Sequence, residues 1–155
     1  MTECMACDLT SGARPLPGGR LGGTEHWVVE HTVGPLGAGT LIAKPFRHVV
    51  HVADLDERET AELGPLLRRV SAAVTEVMAP EQVYVCLWSH AGGHPGHIHF
   101  VVQPVTRSDI ERLGTWGPDL QVTMFRLDER PDPADIEVVC DRLRSVLART
   151  TPQNR

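Results

Sequence analysis

The chain has 155 residues, of which 41% are hydrophobic and 23% are charged, and its formal net charge is −5. This length is enough for one domain with a hydrophobic core, and the composition excludes an intrinsically disordered chain. The acidic balance argues against binding to a nucleic acid polymer, whose phosphates attract basic proteins. No apolar run approaches the roughly 20 residues that a transmembrane helix needs, so we expect no membrane partner.

The first 23 residues carry Cys4 and Cys7 in a C-x-x-C pattern, followed by a segment rich in glycine and proline. This composition predicts an arm or loop. The terminus lacks a basic region followed by an apolar stretch, so we predict no secretory signal and a cytoplasmic location. Cytoplasmic thiols stay reduced, so the cysteine pair indicates a metal site rather than a disulfide. Cys86 and Cys140 lie alone in apolar settings and are predicted to be small core residues.

Two short β-prone segments, residues 25–31 and 40–45, flank a stretch of turn-forming residues at 32–39. This order predicts an antiparallel hairpin with a loose loop. The polar and charged side chains in and beside the hairpin are expected to be solvated: His26, His31, Lys44 and Arg47. For Lys44 and Arg47 the alternative is contact with a phosphate.

Residues 54–78 carry apolar side chains at helical spacing. Asp56 followed by Glu59 has the pattern of a capping box, which satisfies backbone donors at a helix start. Gly64 and Pro65 lie inside the pattern, and we expect them to kink or interrupt the first turns.

Residues 82–88 and 97–105 are apolar, β-prone runs and are predicted to be strands. Residues 120–127 are compatible with an edge strand or with irregular structure. The segment 132–148 opens with an N-cap aspartate and a proline and keeps its apolar residues on one face, which predicts a C-terminal helix. The predicted class is α+β, with an antiparallel sheet of about four to five strands and a central and a C-terminal helix.

Histidines are concentrated just before the last predicted strand, at His94, His97 and His99, after a glycine-rich loop. Residues two apart on a strand share a face, so His97, His99, Val101 and Gln103 are predicted to point to one open face. Two imidazoles beside a loop whose glycines allow close backbone approach predict a polar site. Two solvated surface histidines are the alternative interpretation.

The segment 97–103 resembles the signature of the histidine triad (HIT) superfamily, in which three histidines alternate with apolar residues. The order of cysteine pair, hairpin, helix and histidine strand is similar to that of the superfamily across most of residues 4–105. Residues 39–48 are similar to the segment that ends in Pro-Lys-x-His, with His48 at the histidine. The resemblance implies a HIT-like fold.

For the chemistry, the resemblance gives His99 the role of nucleophile. It would attack the phosphorus of a nucleotide or other phosphorylated small molecule, and a covalent phosphoryl or nucleotidyl histidine would pass to water or another acceptor. Val101 stands at the third histidine and can neither donate nor accept a hydrogen bond. His94 is expected to assist from the loop. Substrate contacts are expected from Gln103, Trp27 and His90.

The replacement at Val101 leaves other functions open. His99 and His94 could act as an acid–base pair in lyase or hydrolase chemistry on a substrate that is not a nucleotide. The chain could also be a nucleotide-binding module without turnover.

The resemblance also implies the zinc-containing branch of the superfamily, with one domain over residues 1–150, a zinc-binding arm at 1–23, a disordered tail at 151–155 and a homodimeric assembly. A closed set of two cysteines and two histidines is typical of a structural zinc ion. The alternative is a cysteine pair that binds no metal, at a frayed terminus. The implied ligands are Cys4, Cys7, His48 and His97.

Overall fold

Five strands form one antiparallel sheet in the order β1-β2-β3-β5-β4, with helices on both of its faces, in a computed structural model that describes residues 4–150. The predicted α+β class is confirmed. Residues 151–155, predicted as a tail, lie outside the described range. The elements are α1 (Met5–Ser11), β1 (Arg20–Gly23), β2 (Trp27–His31), β3 (Leu41–Pro45), a 3₁₀ turn (Val52–Asp54), α2 (Glu57–Met78), β4 (Gln82–Leu87), β5 (Phe100–Val105), α3 (Arg107–Leu113), α4 (Gly117–Leu127) and α5 (Pro133–Thr150).

One face of the sheet packs against α2 and α5 and forms the larger hydrophobic core. Alternation on the strands sends Trp27, Val29 and Leu41 to this face, where they meet apolar side chains of both helices. The predicted capping box at the start of α2 is present, because Asp56 accepts from the backbone of Glu59 and Glu59 accepts from the backbone of Asp56.

The proline inside α2 does not interrupt the helix, one of the two outcomes expected from the sequence. The helix is continuous from Glu57 to Met78 through Pro65. A proline removes one backbone hydrogen bond, and here the cap and the buried face of a 22-residue helix outweigh that loss.

The opposite face of the sheet is covered by α4, so the prediction of an open face beyond His99 was wrong. Val101 and Val105 of β5 pack there against Leu120 and Met124 of α4. Residues 120–127 are therefore helical, because the apolar residues Leu120 and Met124 fall on one helical face that the sheet buries.

The histidine segment and the N-terminal arm also differ from expectation. Strand β5 begins at Phe100, and the ladder does not reach back to His97 because the backbone of Ile98 donates instead to the carbonyl of Val49. The first 23 residues are not a plain loop but contain α1 and β1. Among the helices of residues 4–150, none has the combination of length and apolar composition needed to cross a membrane.

Candidate active site and metal centre

The four predicted metal ligands lie together where α1 meets the ends of β3 and the histidine segment. The Sγ atom of Cys7 lies 3.5 Å from Nδ1 of His48 and 3.4 Å from Nδ1 of His97. The Sγ atom of Cys4 lies 3.9 Å from the same Nδ1 of His97. All four ligand atoms fall within 4.8 Å of one another.

This arrangement fits a tetrahedral zinc ion. Zinc bonds of about 2.3 Å to sulfur and about 2.0 Å to nitrogen place neighbouring ligand atoms roughly 3.3–3.8 Å apart, close to the separations found here. The second nitrogen of His97, Nε2, donates to the carbonyl of Pro45 at 2.9 Å, which leaves Nδ1 unprotonated and free to bind a metal.

The protonation states of the ligands are set mainly by burial. Burial lowers the pKa of His97 to about 4, so its imidazole is neutral near pH 7. Burial, together with the neighbouring Cys4, raises the pKa of Cys7 to about 11, so the thiol holds its proton until a cation displaces it. Metal binding at this centre therefore releases protons and weakens in acid.

The side chain of His99 is held as a neutral imidazole with one nitrogen free. Its Nδ1–H donates to the carbonyl of His97 at 3.0 Å, which fixes the tautomer and leaves the Nε2 lone pair available. Burial lowers the pKa of His99 below its usual value and so favours the neutral, nucleophilic form.

A cavity of about 460 Å³ opens in front of His99, within the size range of small-molecule sites. Val101 lines it beside His99, and the two loop histidines predicted for the site, His90 and His94, also line it from exposed positions. Several further side chains come from α1, the β2–β3 loop, the start of the loop after β4, and α4: Met5, Leu9, Pro35, Leu36, Trp88 and Phe125.

Two residues predicted to contact substrate lie outside this cavity. Trp27 is fully buried on the α2 side of the sheet, where its Nε1–H donates to the carbonyl of Glu59 at 2.9 Å. Gln103 is fully buried under α4, donates to the carbonyl of Leu36 at 3.1 Å and accepts from Gln121 at 2.9 Å. Trp27 lies outside the cavity because side-chain alternation along β2 places it on the opposite face of the sheet. Gln103 lies outside the cavity because α4, a helix not predicted from the sequence, covers it.

Two residues expected to be solvated are buried in the cavity wall instead. Lys44 forms an ion pair with Glu30, with 2.6 Å between Nζ and Oε2. His31 donates from Nδ1 to the carbonyl of Thr32 at 2.7 Å and accepts at Nε2 from the backbone of Gly39 at 2.9 Å. The alternation of side chains on β2 and β3 places Glu30 and Lys44 on the cavity face. The position of α1 over this face could not be predicted from the sequence.

Comparison with known proteins yields no match to a family model and none to a curated protein sequence. Solved structures do match along nearly the whole chain. A zinc-bound histidine triad family protein from Mycobacterium smegmatis has a TM-score of 0.69 and 21% identity, over 95% of this chain and 94% of that one.

Two further structures match with lower sequence identity. A hypothetical histidine triad nucleotide-binding protein from Sulfolobus tokodaii has a TM-score of 0.72 at 15% identity, over 94% of this chain and 93% of its own. A member of the HIT family from Bacillus subtilis has a TM-score of 0.62 at 14% identity, over 99% of this chain and 100% of its own. With the sheet order, the helices and the position of the histidine segment, these likenesses establish that the chain has the histidine triad fold.

Proposed function

We propose that the protein is a hydrolase or nucleotidyltransferase of the histidine triad type, acting on a nucleotide or another phosphorylated small molecule. The observation that carries this proposal is the hydrogen bond from Nδ1 of His99 to the carbonyl of His97, at the edge of the cavity. It presents a neutral Nε2 atom where a ligand can lie.

The reaction has two displacements at phosphorus. In the first, the Nε2 lone pair of His99 forms a bond to phosphorus while the bond to the leaving group breaks, and the carbonyl of His97 stabilises the positive charge on the ring. In the second, water or another acceptor bonds to phosphorus and gives its proton to His94, the phosphorus–nitrogen bond breaks, and neutral His99 is restored. His94, in the adjacent loop, is our candidate for the proton donor to the leaving group, a role that Val101 cannot fill.

A chemical trap tests this function directly. Wild-type protein is incubated with adenosine and guanosine phosphoramidates, dinucleoside polyphosphates and sugar nucleotides, and acid-labile phosphohistidine and released product are measured. We expect an adduct and turnover with at least one donor, both lost in His99→Asn because the amide is not a nucleophile. The exposed His51 offers a matched control, since His51→Asn should retain both. Absence of adduct and turnover across the panel would overturn the proposal.

Val101 favours a second candidate, a nucleotide-binding module without turnover, because its apolar side chain lines the cavity where a donor would assist the leaving group. In that case, donors from the panel would bind to wild type with no adduct. Acid–base chemistry by His99 and His94 on a substrate that is not a nucleotide is the enzymatic alternative. It would give no phosphohistidine, and both His99→Asn and His94→Asn would lose activity on that substrate.

We also propose that Cys4, Cys7, His48 and His97 hold a structural zinc ion. The four ligands close the coordination shell and leave no position for substrate, so the ion would join α1 to the sheet rather than act in the reaction.

The assembly, the location and the partner are further proposals, of which the homodimer follows from the resemblance to the superfamily. We propose a homodimer, and the exposed apolar side chains Val85 and Leu87 on the edge strand β4 support it. The proposed location is the cytoplasm, and the proposed partner is a small molecule rather than a nucleic acid polymer or a membrane.

A further inference from the structure

A buried ammonium group lies in the wall of the cavity. Lys44 is only 2% exposed, yet it lines the cavity. Its Nζ donates to the carbonyl of Ala6 at 2.7 Å and forms an ion pair with Oε2 of Glu30, 2.6 Å away. An ammonium has three N–H donors, so one of them remains without an acceptor among residues 4–150.

The sheet register places this ammonium beside the proposed nucleophile. Strands β3 and β5 pair Ile42 with Val101 and Ala43 with Phe100, and Lys44 and His99 both directly adjoin the last of these pairs. Paired residues have Cβ atoms about 5 Å apart, so two residues that adjoin the same pair are near neighbours. Lys44 and His99 both line the cavity, as do Ile42 and Val101 in the adjacent row.

Neither His99 nor Val101 offers a hydrogen-bond donor to the cavity. Val101 has no polar atom, and the free Nε2 atom of His99 is an acceptor. A phosphoryl oxygen near His99 therefore needs a donor from elsewhere, and a cation in a dry site stabilises such an oxygen more strongly than one in water.

We propose that Lys44 binds a non-bridging oxygen of the phosphoryl group that His99 attacks. Glu30 holds the ammonium in place through the ion pair, and Glu30 is itself fixed by a hydrogen bond from Thr10. This role rests on the proposed function, because it presupposes a phosphorylated ligand at His99. The alternative is that Lys44 only anchors α1 through Ala6.

A comparison of wild type with one double variant tests this role. Glu30→Gln with Lys44→Met removes both charges, keeps similar volumes and leaves the net charge of the protein unchanged. Either single change is avoided because it would leave the other buried charge without its partner. Inorganic phosphate is the probe, and its binding to the full chain is followed by the NMR signals of the His99 ring.

We expect wild type to bind phosphate about tenfold or more tightly compared with the double variant, the usual effect of losing one hydrogen bond to a charged group. In wild type, the ¹⁵N signal of the Lys44 ammonium should shift on addition of phosphate. This second measurement needs no variant and holds even if the double variant does not fold.

Equal phosphate affinity in wild type and the double variant would overturn the proposal, as would a wild-type protein whose Lys44 and His99 signals do not change on addition of phosphate. Failure of the proposed catalysis would give a different set of results in these measurements. Phosphate would then shift both signals in wild type while no donor gave adduct or turnover. Turnover that survives unchanged in the double variant would remove Lys44 from the reaction and leave His99 in place.

Discussion

Residues of the histidine segment and of strand β5 have different roles, depending on whether they face the cavity or lie beneath α4. His99 keeps a free nitrogen at the cavity, whereas Gln103, four positions later, is sealed beneath α4. Its amide joins three elements, because it donates to the carbonyl of Leu36 and to the sulfur of Met124 and accepts from Gln121. Gln103 thus supports the cavity wall from behind rather than contacting a ligand.

Replacing this amide should cost stability. Gln103→Leu removes one hydrogen bond from the amide of Gln121 and one to the carbonyl of Leu36, and two lost hydrogen bonds lower the free energy of unfolding by about 1–3 kcal/mol. Urea denaturation measures the loss. The exposed Gln82 on β4 provides the control, since Gln82→Leu should change the same quantity by less than about 0.5 kcal/mol. A stable Gln103→Leu protein with weakened phosphate binding would instead restore Gln103 as a substrate contact.

At the scale of elements, the β2–β3 loop forms one wall of the cavity and is held by a buried histidine. His31 accepts from the backbone of Gly39 and donates to the carbonyl of Thr32, so both ring nitrogens are used in the neutral form. A second ring proton would lie on Nε2 and point at the N–H of Gly39. Burial lowers the pKa of His31 from 6.5, since the charged ring loses its contact with water.

This lowered pKa predicts an acid-sensitive loop. The unfolded chain takes up a proton near pH 6.5 that the folded chain resists, so stability is lost as the pH falls through that value toward the folded-state pKa. In His31→Gln, the loss of unfolding free energy between neutral pH and about two units lower should be smaller than in wild type. Urea unfolding at the two pH values measures it, with His51→Gln as an exposed control. Equal acid losses in wild type and His31→Gln would contradict the prediction.

For the whole molecule, the sheet separates a packed layer from a functional layer. Helices α2 and α5 fill one face with apolar side chains. The other face is shared between α4 and the cavity, and α1 closes the cavity with Met5 and Leu9. Because Cys4 and Cys7 lie at the start of α1, the proposed zinc centre and the cavity wall belong to the same short helix.

Zinc removal should therefore affect both stability and ligand binding. Wild type is expected to hold about one equivalent of zinc, and Cys4→Ser less than about half, while Cys86→Ser, outside the ligand set, keeps it. Chelation should lower the melting temperature and weaken phosphate binding, since α1 is no longer tied to the sheet. Metal analysis and thermal unfolding check these outcomes. Equal zinc content in wild type and Cys4→Ser would refute the centre.

Local patterns in the sequence determined much of this fold. The hairpin, the capped helix α2 and the C-terminal helix follow from spacing, turn residues and caps, which act over a few neighbouring positions. The resemblance to the histidine triad signature predicted the four ligands that the structure brings together. These features depend on residue types and their order alone.

The tertiary structure alone decided which polar residues are buried and which face the cavity. Lys44 and Gln103 have ordinary positions on their strands, and only the placement of α1 and α4, from distant parts of the chain, removes them from water. Strand alternation tells two faces apart but does not say what covers either one. The ion pair between Lys44 and Glu30 lies beside His99 only because of those contacts, so no local pattern could have predicted it.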